Sequence, residues 1–405
     1  MKALQFSVSV PKFLALKALG AVDPRPYYRG PLATVKLKEI PEPKLPAPDW
    51  VRIRTRMTGF CASDLNLILL KESPSASPFT SFPCVLGHET CGEVAELGPE
   101  TEGLEVGDRV VLAPPLHCRA RGIEPQCPAC DAGLLANCQN LAEGNLSAGM
   151  HIGLCRDTGA GFSPAFVAHP SQLFKLPDQM PYKIAVLTEP FSVGLQAVFI
   201  NLPRAGEEVL VIGGGVIGGM VINAIRALGI DCRLTVADPS PFAAGIAGKL
   251  GADRVVTDGD LMQAAVGFTG ARRYKPELGP DMLMGGFARI YDTVGTSGTL
   301  NTATRCLASG GTISLIGIHD RLKLDPTPLW LKQQTIKGLL GCGIVDYQGR
   351  RRHVFEIALE LANSGKARMG SLVTHEFKLE DYAGMIAVNL DKQRYKALKT
   401  VVSFG

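Results

Sequence analysis

The sequence predicts an α/β chain in two parts, a β-rich domain first and a doubly wound parallel sheet after it. Three observations carry this. At 405 residues the chain is too long for one ordinary core. Its first ~180 residues are short apolar runs broken every few positions by proline or glycine, the texture of strands and tight turns. From about residue 205 apolar runs of strand length alternate with segments of helical spacing, and strands apolar on both faces belong to a parallel sheet covered on both sides.

Taken in order, the first part offers strands at KALQF (2–6), TVKLKEIPEPKLPAP (34–48), WVRIRTRMTG (50–59), CGEVAELG (91–98), DRVVLAP (108–114), AFVAHP (165–170) and LFKLP (173–177). The second offers EEVLVIGGG (207–215), CRLTVADP (232–239), RVVTD (254–258), RIYDTVG (289–295) and GTISLIGI (311–318). Between them VIGGMVINAIRALG (216–229) and AAGIAGKLGA (243–252) have helical spacing. An amphipathic helix in HVFEIALELANSGK (353–366) and a last strand in ALKTVVSFG (397–405) return to the first part. The expected domains are therefore 1–185, 186–345 and 346–405, the last rejoining the first.

Charged residues are 20% of the chain and the net charge of +4 is spread along it, so nothing asks for a nucleic-acid partner. The start, MKALQFSVSVPKFLALKALGAV, has the outline of a secretory leader, but Pro11, Lys12 and Lys17 interrupt its apolar stretch. The apolar run 209–225 is long enough to suggest a membrane span. Its five glycines suit a strand, a turn and a helix instead. A cytoplasmic chain that engages no membrane is expected. Eleven cysteines, four of them within 21 residues, point in a reducing compartment to metal rather than to disulfides.

Gly213, Gly215 and Gly218 form a G-x-G-x-x-G pattern that follows a strand, opens a helix and precedes a strand ending in Asp238. Gly213 would make the tight turn, Gly215 would let backbone N–H groups approach a pyrophosphate beside Val216 and Ile217, and Gly218 would let helix pack on strand. Asp238 would accept hydrogen bonds from both hydroxyls of the adenosine ribose. A 2′-phosphate there would meet like charge, and the following PSPF offers no arginine, so NAD is expected over NADP.

Three separated pieces supply candidate ligands: Cys61 in TGFCASDLN, His88 and Glu89 in VLGHETCGEV, and Glu189 in LTEPFSVGLQAV. A catalytic zinc takes three mixed S, N and O ligands and keeps one position open. With GFCASD, GHETCGEVAELG, VGDRVV, the cysteine cluster, TEPFSVGLQAV, VIGGGVIG and HEFKLEDYAGMIAV, the sequence resembles the zinc-dependent medium-chain dehydrogenases/reductases, the alcohol, sorbitol and threonine dehydrogenase family. The resemblance implies a GroES-like catalytic domain, a Rossmann domain inserted before its C-terminal part, and an active site in the cleft between them. It implies Cys61 and His88 as ligands of a catalytic zinc, with either Glu89 or Glu189 as the third. Ser63 matches the hydroxyl that passes the substrate proton onward, and Asp64 a residue that orients His88. Val294, Gly295 and Ile316 fall where the family's sheet meets the nicotinamide, while His319 there reads as structural. Where many relatives end their proton relay in histidine this chain has Asn66, which cannot titrate.

The family's structural zinc site follows C-x2-C-x2-C-x7-C, and Cys127, Cys130 and Cys138 match its last three positions. Glu124 stands where the first cysteine belongs. Cys118, separated from Cys127 by eight residues, His117 and Glu124 are all candidates, with Cys118 favoured because closed sites prefer thiolates. Closing that longer loop costs only about 1 kcal/mol more than the short one.

The function expected is hydride transfer between NAD and an alcohol or carbonyl substrate, a secondary alcohol or polyol, with one catalytic and one structural zinc in a homodimer or homotetramer. The alternatives are a zinc-free quinone or enoyl-type reductase and an inactive nucleotide-binding protein. Insertions at 9–30 and 268–286 suggest lids or subunit contacts.

Overall fold

Strand Val51–Phe60 organises the first unit, because it pairs antiparallel with three partners: Glu89–Leu97, Lys399–Ser403 and Ala165–Ala168. The computed structural model describes residues 1–20, 22–317 and 321–405. Within the first unit the sheet runs Val373–Phe377, Lys399–Ser403, Val51–Phe60, Glu89–Leu97, Arg109–Leu112, Leu173–Lys175, with Ala165–Ala168 attached to Val51–Phe60. A smaller sheet places Lys2–Phe6 between Val35–Glu39 and Cys84–Val85. Trp50, Phe6, Phe60, Phe162 and Phe166 fill the core these sheets share. Burying such rings is worth about 1.5–3 kcal/mol each, which is what holds so loop-rich a unit together.

The register of that large sheet sets up the chemistry. Glu89 lies opposite Gly59 and Thr400 opposite Phe60, so the ends of three neighbouring strands bring Cys61, Glu89 and Lys399 to one place.

The second unit is a six-stranded, wholly parallel sheet. Its order is Arg254–Val256, Arg233–Ala237, Glu208–Ile212, Phe287–Asp292, Leu307–Leu315, Thr335–Gly338. Chain direction across the sheet reverses between Glu208–Ile212 and Phe287–Asp292, the switch point at which such sheets bind nucleotides. The apolar run 209–225 is here a strand to Ile212, a glycine turn and the helix Val216–Ala227. The stretch Tyr182–Ile200 is long and apolar enough to cross a membrane, yet 72% of its most apolar window is buried within the protein.

The compact units divide at Glu189/Pro190 and Gly341/Cys342, and Glu360–Leu372 belongs with the parallel sheet while Val373–Gly405 belongs with the first unit. Both insertions are structured. Residues 9–30 hold the helix Val10–Leu19 and a turn at Arg25–Tyr27, anchored by Leu16, Tyr27 and Tyr28 in the main core. Residues 268–286 form a ribbon, Arg272–Tyr274 against Met282–Met284, whose Arg273 pairs with Asp260 and Asp281.

Candidate functional site

Cys61 follows directly on strand Val51–Phe60 and is the N-cap of helix Ala62–Ile68. Its backbone N–H donates to the Asp64 carboxylate at 2.9 Å, which fixes the turn that presents the thiol. His88 precedes strand Glu89–Leu97, and its Nδ1 sits 3.6 Å from Asp64 Oδ1. That is an ion-pair separation longer than a hydrogen bond, and it leaves Nε2 as the nitrogen for a ligand bond. Burial disfavours a charged His88, yet the Asp64 carboxylate prevails and raises its pKa. Ligand atoms of Cys61, His88 and Glu89 all lie within 4.8 Å of one another. One thiol, one imidazole and one carboxylate at that separation fit a zinc ion with an open position.

Glu89 is also half of a buried ion pair. Lys399 Nζ donates to both of its carboxylate oxygens, at 2.6 and 2.5 Å, and to the Phe60 carbonyl at 3.2 Å. Side-chain exposure is 4% for the lysine and 1% for the glutamate. Glu189 lies outside the 4.8 Å group but feels it: burial, opposed by His88 and reinforced by Glu89, pushes its carboxyl up to about 7. Ser63 is half-buried on the same helix as Asp64, and Asn66 half-buried one turn on.

The four cysteines of the lobe, Cys118, Cys127, Cys130 and Cys138, are all buried, and their sulfurs lie within 4.8 Å of one another. Backbone N–H groups aim at these sulfurs: Cys127 at Cys118 (3.3 Å), Gln139 at Cys127 (3.4 Å) and Asn140 at Cys138 (3.3 Å). Donors pointed at sulfur favour thiolate. Burial opposes this and pushes Cys138 up to about 11 in spite of the Asn140 N–H, whereas at Cys127 the N–H groups of Gln139 and Cys130 prevail and bring it down to about 6. Glu124 is exposed and takes no part, and His117 turns its Nε2 to Ser171 Oγ at 3.4 Å. The long loop reaches back because Arg121, fully buried, gathers the carbonyls of Leu116, Glu143, Leu146, Ser147 and Gly149. Glu124→Gln is accordingly expected to keep the full metal content, whereas Cys118→Ser loses one metal per chain. Metal analysis of the two purified variants checks this.

In the parallel unit, Gly213 has φ +97°, and a Cβ there would meet Thr293 Oγ1 at 2.5 Å. A Cβ on Gly218 would strike the Gly213 carbonyl oxygen, so helix Val216–Ala227 could not approach its strand. Around Gly215 a Cβ would meet nothing within 4 Å, and Gly215, Val216 and Ile217 are half-buried at the helix N-terminus. Open space before backbone N–H groups is what a pyrophosphate needs. Asp238 Oδ2 accepts from Gly214 N–H and Oδ1 from Ser240 N–H, both at 2.7 Å, which fixes the carboxylate beside the turn. Val294 is exposed, Gly295 and Ile316 buried, and the fully buried Asp292 holds the N–H groups of Val294 and Gly295 at 3.1 and 2.9 Å. His319 lies outside the described residues.

Residues 47–178 match the family described as "Alcohol dehydrogenase GroES-like domain", and residues 216–364 the one described as "Zinc-binding dehydrogenase". The chain belongs to the zinc-type medium-chain dehydrogenases. Among relatives of this dehydrogenase, the (R,R)-butanediol dehydrogenase of Bacillus subtilis (strain 168) is 29% identical over 380 residues, 90% of this chain and 96% of its own. A probable diacetyl reductase, (R)-acetoin forming, of Saccharomyces cerevisiae is 28% identical over 377 residues, 89% and 85% of the two chains. The crystal structure of 2R,3R-butanediol dehydrogenase from Bacillus subtilis has the same fold, with TM-score 0.73, 24% identity, and 100% and 99% of the two chains covered.

Sequence reasoning about this dehydrogenase missed Lys399, Arg121, Asp292 and His151. A lysine inside the apolar strand LKTVVS was the one available signal for the first. Nothing local marks the other three.

Proposed function

We propose that this zinc-type dehydrogenase transfers hydride between a secondary alcohol or polyol and NAD. What carries the reading is the convergence of Cys61, His88 and Glu89 within 4.8 Å, on a chain that also bears the glycine turn and Asp238. Cys61, His88 and a carboxylate would hold the catalytic zinc, Glu89 being nearest and Glu189 the reserve. A zinc ion there would supply a Lewis acid for the oxygen of alcohol or carbonyl. The four lobe cysteines would hold a second, structural zinc.

The chain's own groups do the rest. Asp64 orients His88, and Lys399 holds the Glu89 carboxylate in place. Ser63 takes the substrate proton, and since Asn66 cannot accept it, the proton passes to water or to a cofactor ribose hydroxyl. Asp238, with both oxygens already fixed, offers its remaining lone pairs to the ribose hydroxyls and repels a 2′-phosphate. The names of the relatives, butanediol dehydrogenase and diacetyl reductase, support an oxygen on the carbon next to the reacting one. A zinc-free reductase would have no use for the S, N and O donor set.

The test is reduction of NAD and of NADP by secondary alcohols and polyols. Turnover with NAD, and at least about tenfold less with NADP, is expected, since one repelled phosphate is worth at least ~1.4 kcal/mol. Equal use of both cofactors overturns the role of Asp238. No turnover with any alcohol overturns the reading itself.

A further inference from the structure

We infer that His151 binds the second hydroxyl of a vicinal diol and so sets substrate preference. Its imidazole lies beside the ligand set, with ring centroids 4.8 Å from those of His88 and planes tilted by 51°. None of the motifs quoted above includes this residue, and the chemistry proposed above does not use it. The inference rests on that chemistry and names the substrate class of the same site.

Backbone bonds hold His151 in place. It bridges to Pro115, and its neighbours are tied on both sides, Ile152 N–H to the Pro114 carbonyl at 2.9 Å and Leu116 N–H to the Met150 carbonyl at 3.1 Å. The Leu154 N–H donates to the His151 carbonyl at 3.0 Å. The ring is fixed as well, because Nδ1 lies 2.7 Å from the Ile152 carbonyl oxygen. A carbonyl only accepts, so Nδ1 carries the proton and Nε2 of the neutral ring presents a lone pair. Among the described residues Nε2 has no hydrogen-bond partner.

His151 uses one ring nitrogen, is half-buried, and packs against His88, a residue that would hold the metal. Vicinal oxygens are separated by about the length of a hydrogen bond, so a hydroxyl beside the reacting one comes within reach of that neighbour. It would donate to Nε2. A monohydroxy alcohol leaves Nε2 to water.

The experiment compares butane-2,3-diol with butan-2-ol as reductants of NAD in the wild-type enzyme, His151→Phe and His151→Gln. Phenylalanine keeps the ring contact with His88 and removes the acceptor. Glutamine keeps an acceptor. His151→Phe is expected to raise KM for the diol about tenfold with kcat little changed, to alter butan-2-ol turnover less than about twofold, and to retain its metal. His151→Gln should recover most of the diol affinity. Equal losses on both alcohols show that the ring merely supports His88 and overturn the inference, as does unchanged diol KM. Wild-type activity on either alcohol in those cases leaves the dehydrogenase reading standing. Absence of wild-type activity on both, and on the other secondary alcohols and polyols, sinks the two together.

Discussion

Cys61→Ser is expected to lower kcat/KM for alcohol oxidation by about a thousandfold or more, equivalent to ~4 kcal/mol of transition-state stabilisation. The reasoning is local. Cys61 supplies the sulfur of the donor set, while its backbone N–H, bonded to Asp64 at 2.9 Å, is what caps helix Ala62–Ile68. A serine keeps that backbone bond and nearly the same volume. Thermal stability should therefore change little, and the four-cysteine lobe, which shares no ligand with this site, should keep its metal. Steady-state kinetics beside a thermal melt would check both halves. Turnover within tenfold of wild type would remove Cys61 from the chemistry.

Lys399→Met is expected to cost about 3–5 kcal/mol of stability, the usual result of leaving one member of a buried pair alone. Glu89 is 1% exposed at its side chain and takes both of its short bonds from this lysine. Burial alone would lower the Lys399 pKa, but the Glu89 carboxylate beside it prevails and raises it, so the lysine enters the pair as an ammonium. With the ammonium gone the buried carboxylate loses both of these bonds. Adding Glu89→Gln to Lys399→Met removes the stranded charge and should return most of the loss in denaturant unfolding. If the double variant is as unstable as the single one, packing of the lysine stem, and not the pair, accounts for the effect.

Much of this was legible in the sequence, for a physical reason. Strands such as Glu208–Ile212 and Arg233–Ala237 are buried on both faces and leave unbroken apolar runs, and a glycine turn between strand and helix can be read without coordinates. The edge strand Thr335–Gly338 could not be read this way. Three of its four residues are exposed, so TIKG carries neither alternation nor an apolar run. The helix Val10–Leu19 was hidden for a related reason: Val10 and Leu14 are exposed and Leu16 is buried, so its apolar residues do not mark one face.

The site divides in the same manner. Cys61, His88 and the last three lobe cysteines stand in short local motifs. Cys118 does not, because its loop is closed by Arg121 bonding carbonyls up to 28 positions away. Lys399 meets Glu89 across 310 positions, a pairing that only the strand register creates. His151 stands in none of the quoted motifs, and only the fold sets its ring against that of His88.

The most direct test of the proposed two-zinc reading is zinc per folded chain, measured alongside NAD reduction by a secondary alcohol in the wild-type enzyme and in Cys61→Ser. Two zinc ions with turnover in the first, and one without turnover in the second, are expected from the Cys61–His88–Glu89 and four-cysteine sites. A wild-type enzyme that turns over without zinc, or a Cys61→Ser variant that keeps both zinc and activity, would contradict the account.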